Sequence, residues 1–153
     1  MLIGQIVPEI RERLAAVHEK DNLMKAGRLL LLDHINAVVV FDNEEKVVGI
    51  LTDSDIIRAV ADADKTKCIR GQFQCEISVD SAMTKNVVTC RPEDFLEHVW
   101  GKMSALHLRH LPVLDGEGRA IGILCAKDAL TYLRREAEYE ARYLVEYVSG
   151  LCG

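Results

Sequence analysis

The sequence predicts an α/β chain of two β-α-β-β-α repeats packed face to face. Three observations predict it. First, the second half repeats the first at an offset of 73 residues: His34–Val60 lies over His107–Leu133 for 27 ungapped positions, 8 of them identical (His, Val, Asp, Glu, Gly, Ile, Leu and Asp). A repeat defines a fold before any single segment does. Second, each copy holds two short apolar runs joined by a polar turn, DNEEK in one and DGEGR in the other, the pattern of a β-hairpin. Third, a segment of helical periodicity stands before and after each hairpin. Two similar units sharing a core leave a crevice between them, a natural place for a ligand.

The elements follow in order. Ile6–Arg13 reads as a short helix or loop, and Leu14–His18 as a short strand. Asp21–Asp33 reads as a helix with Leu23, Ala26 and Leu30 on one face. Ala37–Phe41 is a buried strand, Val47–Leu51 its hairpin partner, and Thr52–Ala61 a helix. In the second unit Val87–Cys90 is expected as a strand. Pro92 is expected to open a helix at its first turn, where proline fits; Leu96, Val99, Met103 and Leu106 share the apolar face of that helix. Leu111–Leu114 and Ala120–Leu124 form the second hairpin. A last helix runs from about Lys127 to Val148, with Gly150 as its C-cap. The expected division is residues 1–65 for the first unit, 66–76 for a connector, 77–135 for the second unit and 136–153 for a helical extension. Tyr132, Tyr139, Tyr143 and Tyr147 are all the tyrosines of the chain and lie on one helical stripe. The stripe either packs on the chain's own core or forms a homodimer contact, since tyrosine is favoured at interfaces.

Composition narrows the function classes. Apolar content of 49% is that of an ordinary globule. No apolar run approaches the roughly 20 residues needed to span a bilayer, and Pro8, Glu9, Arg11 and Glu12 break any secretory h-region. Five scattered cysteines without a C-x-x-C pair read as reduced thiols in a cytoplasm and argue against zinc. A net charge of −5 argues against general nucleic-acid binding. No metal-ligand spacing, nucleophile elbow or phosphate loop is present, and the chain reads as a non-enzyme.

Two segments hold candidate binding chemistry. Gly49-Ile-Leu-Thr52-Asp-Ser-Asp55 sits where a strand gives way to a helix. Thr52 and Asp55 form a capping-box pattern, which alone stabilises a helix by about 1 kcal/mol. The same place offers free N–H groups to a phosphate and a carboxylate to a ribose diol. The second copy reads Gly122-Ile-Leu-Cys125-Ala-Lys-Asp128: it keeps the aspartate and loses the hydroxyl. The second segment is Leu108-Arg109-His110-Leu111-Pro112-Val113. Arginine suits phosphate through paired hydrogen bonds, or Arg109 is merely solvated and His110 packs at a strand edge. The first copy has Asn36 and Ala37 at these positions.

These segments resemble a family. AVVVFDNEEKVVGILTDSDIIRAV in the first unit, and SAMTKNVVTCRPED, LRHLPVLDGEGRAIGIL and Asp128 in the second, look like a tandem pair of cystathionine-β-synthase-type (CBS) domains, the Bateman module. Ile6–Val17 departs from the usual pattern. The resemblance implies packing with pseudo-twofold symmetry, two clefts, and no required cofactor. It implies an AMP-, ADP- or ATP-type ligand ahead of NAD or S-adenosylmethionine. By matched position Asp55 would hold ribose with help from Thr52, and Arg109 and His110 would face phosphates. The second cleft would use Asp128, with Thr89 along it. The implied function is a regulatory module that signals to a partner protein. A constitutive dimerisation domain with vestigial clefts is the alternative.

Overall fold

The computed structural model describes the backbone of residues 1–62 and 76–152, with side chains through residue 150. The elements are α1 (Val7–Ile10), β1 (Ala16–His18), α2 (Leu23–Leu30), β2 (Val38–Phe41), β3 (Val47–Leu51), α3 (Asp53–Asp62), α4 (Val79–Ala82), α5 (Leu96–Ala105), β4 (His110–Leu114), β5 (Ala120–Cys125) and α6 (Ala126–Cys152). Short 3-10 turns, Ile3–Gln5 and Arg11–Arg13, flank α1. The expected connector lies, apart from Glu76, outside the described residues.

Each hairpin is closed by an aspartate at its turn. Asp42 Oδ1 accepts the N–H groups of Glu44 and Lys46 at 2.9 and 3.0 Å, and Asp115 Oδ1 accepts those of Glu117 and Arg119 at the same distances. The turns differ at one position. Gly118 adopts φ +83, while its counterpart Glu45 is forced to φ +64, which is unfavourable for a residue with a Cβ.

β1 pairs parallel to β2, and β2 antiparallel to β3. In the second repeat β4 and β5 pair antiparallel, but the strand expected at Val87–Cys90 shrinks to a single parallel bridge, Cys90 to Val113. The reason is Pro112. Its counterpart Val39 donates its N–H to Ala15 at 2.9 Å; proline has no N–H for the equivalent carbonyl.

The two cores do not follow chain order. Ile3, Ile6, Val7 and Ile10 pack with Leu96, Met103, Leu111 and Leu124 of the second repeat. Val79 packs with Val17, Leu23, Val38 and Leu51 of the first. The repeats have exchanged their leading arms. Matching backbone bonds fasten both: Ile3 N–H to the Asp94 carbonyl and Val79 N–H to the Asp21 carbonyl, each at 2.9 Å, and Leu96 N–H to Met1 and Leu23 N–H to Ile77 at 2.9 and 2.8 Å. The arms press on the sheets at Gly49 and Gly122. A Cβ there would stand 2.3 Å from Met83 Sδ and 3.0 Å from Ile10 Cγ1. A third cluster, Ala37, Val39 and Ile123 with Leu14, Val47, Ile50 and Ala120, joins the sheets of the two repeats.

Three helix ends differ from expectation. α2 spans only Leu23–Leu30, started by Asn22, whose Oδ1 accepts Met24 N–H at 2.8 Å. Pro92 does not open a helix: it sits in the turn before α5, where its carbonyl accepts Gly4 N–H at 2.8 Å from the exchanged arm. α6 continues through Gly150 to Cys152, since glycine ends a helix only where the backbone turns left-handed. Among the described residues, Tyr132 of the stripe meets the chain's own body, donating to the Glu9 carboxylate. Tyr139, Tyr143 and Tyr147 are exposed.

Candidate functional site

A cleft of about 1050 Å³ opens between the repeats. From the first repeat come Thr52 and the opening turn of α3, where β3 delivers them, together with Asp55 and Arg58. From the second come Leu108, Arg109 and His110, at the entry to β4, and Cys125 to Lys127, at the start of α6. Ala126 N–H bonds to the Arg109 carbonyl at 2.8 Å and locks these two segments together. The structure therefore brings Thr52, Asp55, Arg109 and His110 to one cavity.

Asp55 is the buried charged residue of the described core. Its Oδ2 accepts Thr52 N–H at 2.9 Å and the Thr52 hydroxyl at 3.2 Å. The aspartate thus reaches back to the residue before α3, the returning half of a capping box. Its Oδ1 meets the Thr84 hydroxyl and Arg58 more loosely, both at 3.4 Å. The capping role is real, and the partners of both oxygens line the same cavity.

Arg109 is exposed and has no ion-pair partner among the described residues. Beside it His110 is half-buried, and its imidazolium is disfavoured first by burial and then by the Arg109 charge, with Asp53 opposing. Arg13, Arg58, Arg109 and Lys127 line the cavity against Asp53 and Asp55, so cations exceed anions there.

The second carboxylate stands differently. Asp128 lies in the first turn of α6, and its N–H donates to Cys125 Sγ, a weak acceptor, at 3.4 Å, whereas the Thr52 hydroxyl donates to Asp55. Burial raises the Cys125 thiol pKa, so it stays protonated. The Asp128 carboxylate pairs with Arg13. A smaller cavity of about 230 Å³ beside it is lined by Glu9, Glu12, Arg13, His34, Asp128 and Tyr132. Thr89 lines neither cavity. Its neighbour Cys90 takes the buried position facing β4, and adjacent residues of an extended segment point to opposite sides.

Sequence reasoning missed Arg13, Arg58, Thr84, His34 and His107 as cleft residues. A signal existed for the two histidines, which are repeat-equivalent and both left-handed, at φ +69 and +53. Arg13 and Thr84 sit on exchanged arms and gave none. Among the described residues no group of three or more His, Cys, Asp or Glu side chains could hold a metal ion, and no helix is long and apolar enough to cross a membrane.

Comparison with known proteins places this geometry. The chain is 32% identical over 111 residues to L-aspartate semialdehyde sulfurtransferase of Methanocaldococcus jannaschii, covering 72% of the chain and 19% of that enzyme. It is 31% identical over 137 residues to inosine-5′-monophosphate dehydrogenase of the same organism, covering 88% and 25%. The chain thus spans about a fifth to a quarter of these enzymes. Among solved structures, the CBS domain pair of protein MJ0100, in complex with 5′-methylthioadenosine and S-adenosyl-L-methionine, superposes with a TM-score of 0.70 at 26% identity, covering 89% of this chain and 98% of that one. The CBS-domain containing protein ATU1752 from Agrobacterium tumefaciens gives 0.67 at 29%, covering 86% and 98%. The sequence profile of the CBS domain matches residues 3–62 and again residues 78–135. The chain belongs to the CBS domain family, as a tandem pair.

Proposed function

We propose that this chain is a regulatory module that binds an adenosine nucleotide of the AMP, ADP or ATP type in the larger cleft and signals its occupancy to a partner protein. The observation behind the reading is that the α3 N-terminus with Asp55, from one repeat, and Arg109 with His110, from the other, line one cavity. Asp55 would take the ribose diol with Thr52 beside it. Arg109, unpaired among the described residues, would take phosphate, and His110 would donate to it once protonated. Asp128 is the matching carboxylate of the second cleft, and Thr89 lines neither cavity. A nucleotide held from both sides favours the closed arrangement only by its differential affinity for it. The solved neighbour with adenosine-type ligands supports the ligand class. The partner would be reached through α6, and Cys90 and Cys125 as free thiols fit a cytoplasmic setting.

The exposed face of α6, with Tyr139, Tyr143, Leu144 and Tyr147, favours a second reading: a constitutive homodimer with vestigial clefts. Thermal unfolding with AMP, ADP, ATP, NAD and S-adenosylmethionine separates the two. A ligand at 100 times its Kd adds about 2.7 kcal/mol. Asp55→Ala removes most of that gain and Asp128→Ala leaves it. Stability unmoved by every ligand would leave only the dimer reading.

A further inference from the structure

We propose that Arg13 closes the second cleft from within, so that the native chain offers one nucleoside site rather than two. This rests on the reading of the clefts given above. Asp128 is the repeat counterpart of Asp55 and occupies the same place in the first turn of its helix. Its carboxylate is already taken. Arg13 Nε pairs with Oδ2 while Arg13 Nη2 donates to Oδ1 at 3.2 Å, a two-pronged guanidinium–carboxylate contact. A ribose diol needs those same two oxygens. The arm bearing Arg13 is held in place near α6, because Tyr132 donates to Glu9 on α1 and Arg13 Nη1 reaches the His34 carbonyl at 3.5 Å.

The first cleft has no such closure. Ile10 and Met83 stand over Gly122 and Gly49, which fixes the correspondence of the arms and sets Asn86 opposite Arg13. Asn86 is exposed, and no described bond links it to Asp55. Arg58 touches Asp55 only at 3.4 Å and is itself 70% exposed, the kind of contact that yields at little loss. Asp55 is thus held by its own cap and by two loose contacts at 3.4 Å, to Thr84 and Arg58, whereas both oxygens of Asp128 are taken by one guanidinium. Removing Arg13 leaves Glu9, Glu12 and Asp128 around the smaller cavity. The site uncovered would suit an uncharged nucleoside better than a polyphosphate.

Titration calorimetry on the full chain, with adenosine and with AMP, counts the sites. Arg13→Gln is compared with wild type, and Arg13→Met, which keeps an apolar stem, serves where the glutamine variant does not fold; a thermal melt confirms folding. The folded variant binds one more equivalent of adenosine per chain than wild type, and adding Asp128→Asn removes that extra equivalent. A site count unchanged by loss of Arg13 overturns the proposal. A wild type that binds neither probe sinks the nucleotide reading of the first cleft, while the gain on removing Arg13 is still scored on its own.

Discussion

Asp55 and Asp128 occupy equivalent positions in two copies of one motif, yet they live in different surroundings. Asp55 is held by its own helix cap and touched loosely by Thr84 and Arg58. Asp128 is gripped by an arginine from far away in the chain. The difference arises outside the repeated motif, in the leading arms, where one copy has Arg13 and the other Asn86. A duplicated site thus diverges through its neighbours as readily as through its own residues.

The largest test of this comparison concerns the arms. Ile3→Ala should destabilise the chain by about 2–5 kcal/mol, as large-to-small core changes do. Hydrogen exchange should place the loss in β4, β5 and α5, where Ile3 packs, and spare β1 to β3. Faster exchange confined to β1–β3 would contradict the exchange of arms.

Next in size is the response to pH at the first cleft. The folded-state pKa of His110 is lowered, chiefly by burial, so the folded chain binds fewer protons than the unfolded one as pH falls past the usual imidazole range. Stability from this group is therefore lost as pH drops through about 6.5. A bound phosphate favours the imidazolium, so phosphate-bearing ligands should bind several-fold tighter at pH 6 than at pH 8, with proton uptake visible in calorimetry. His110→Gln should flatten this dependence. The counterpart, Ala37, cannot titrate, so an equal slope in the variant would assign the effect elsewhere.

The smallest effect is in the hairpin turns. Glu45→Gly copies Gly118 into the strained left-handed position and should raise stability by roughly 0.5–1 kcal/mol, read from chemical denaturation. The loss of an exposed contact to Arg119 at 3.4 Å should offset little of it.

Much of this was legible in the sequence. Alternation and turn residues are local signals, and β3 falls on Val47–Leu51 as expected. The Thr52–Asp55 cap was visible because both partners lie within one helical turn. Pro92 misled, because a proline before an apolar run suits a turn as well as a first helical position. Pro112 carried an overlooked signal: its missing N–H explains why the edge strand at Val87–Cys90 was lost. Arg13 and Thr84 were invisible as site residues, since nothing local tells which repeat an arm will cover.

By itself, then, the sequence determined the two repeats, their hairpins, the Thr52–Asp55 cap and the family, because each depends on residues a few positions apart. Only the tertiary structure decided that the arms cross over, that Arg109 and Asp55 share a cavity, and that Asp128 is already paired. Those outcomes depend on apolar surfaces buried between segments far apart in the chain, such as Ile3 against Leu124. The hydrophobic effect that buries them is non-directional, so local pattern does not specify which surfaces meet.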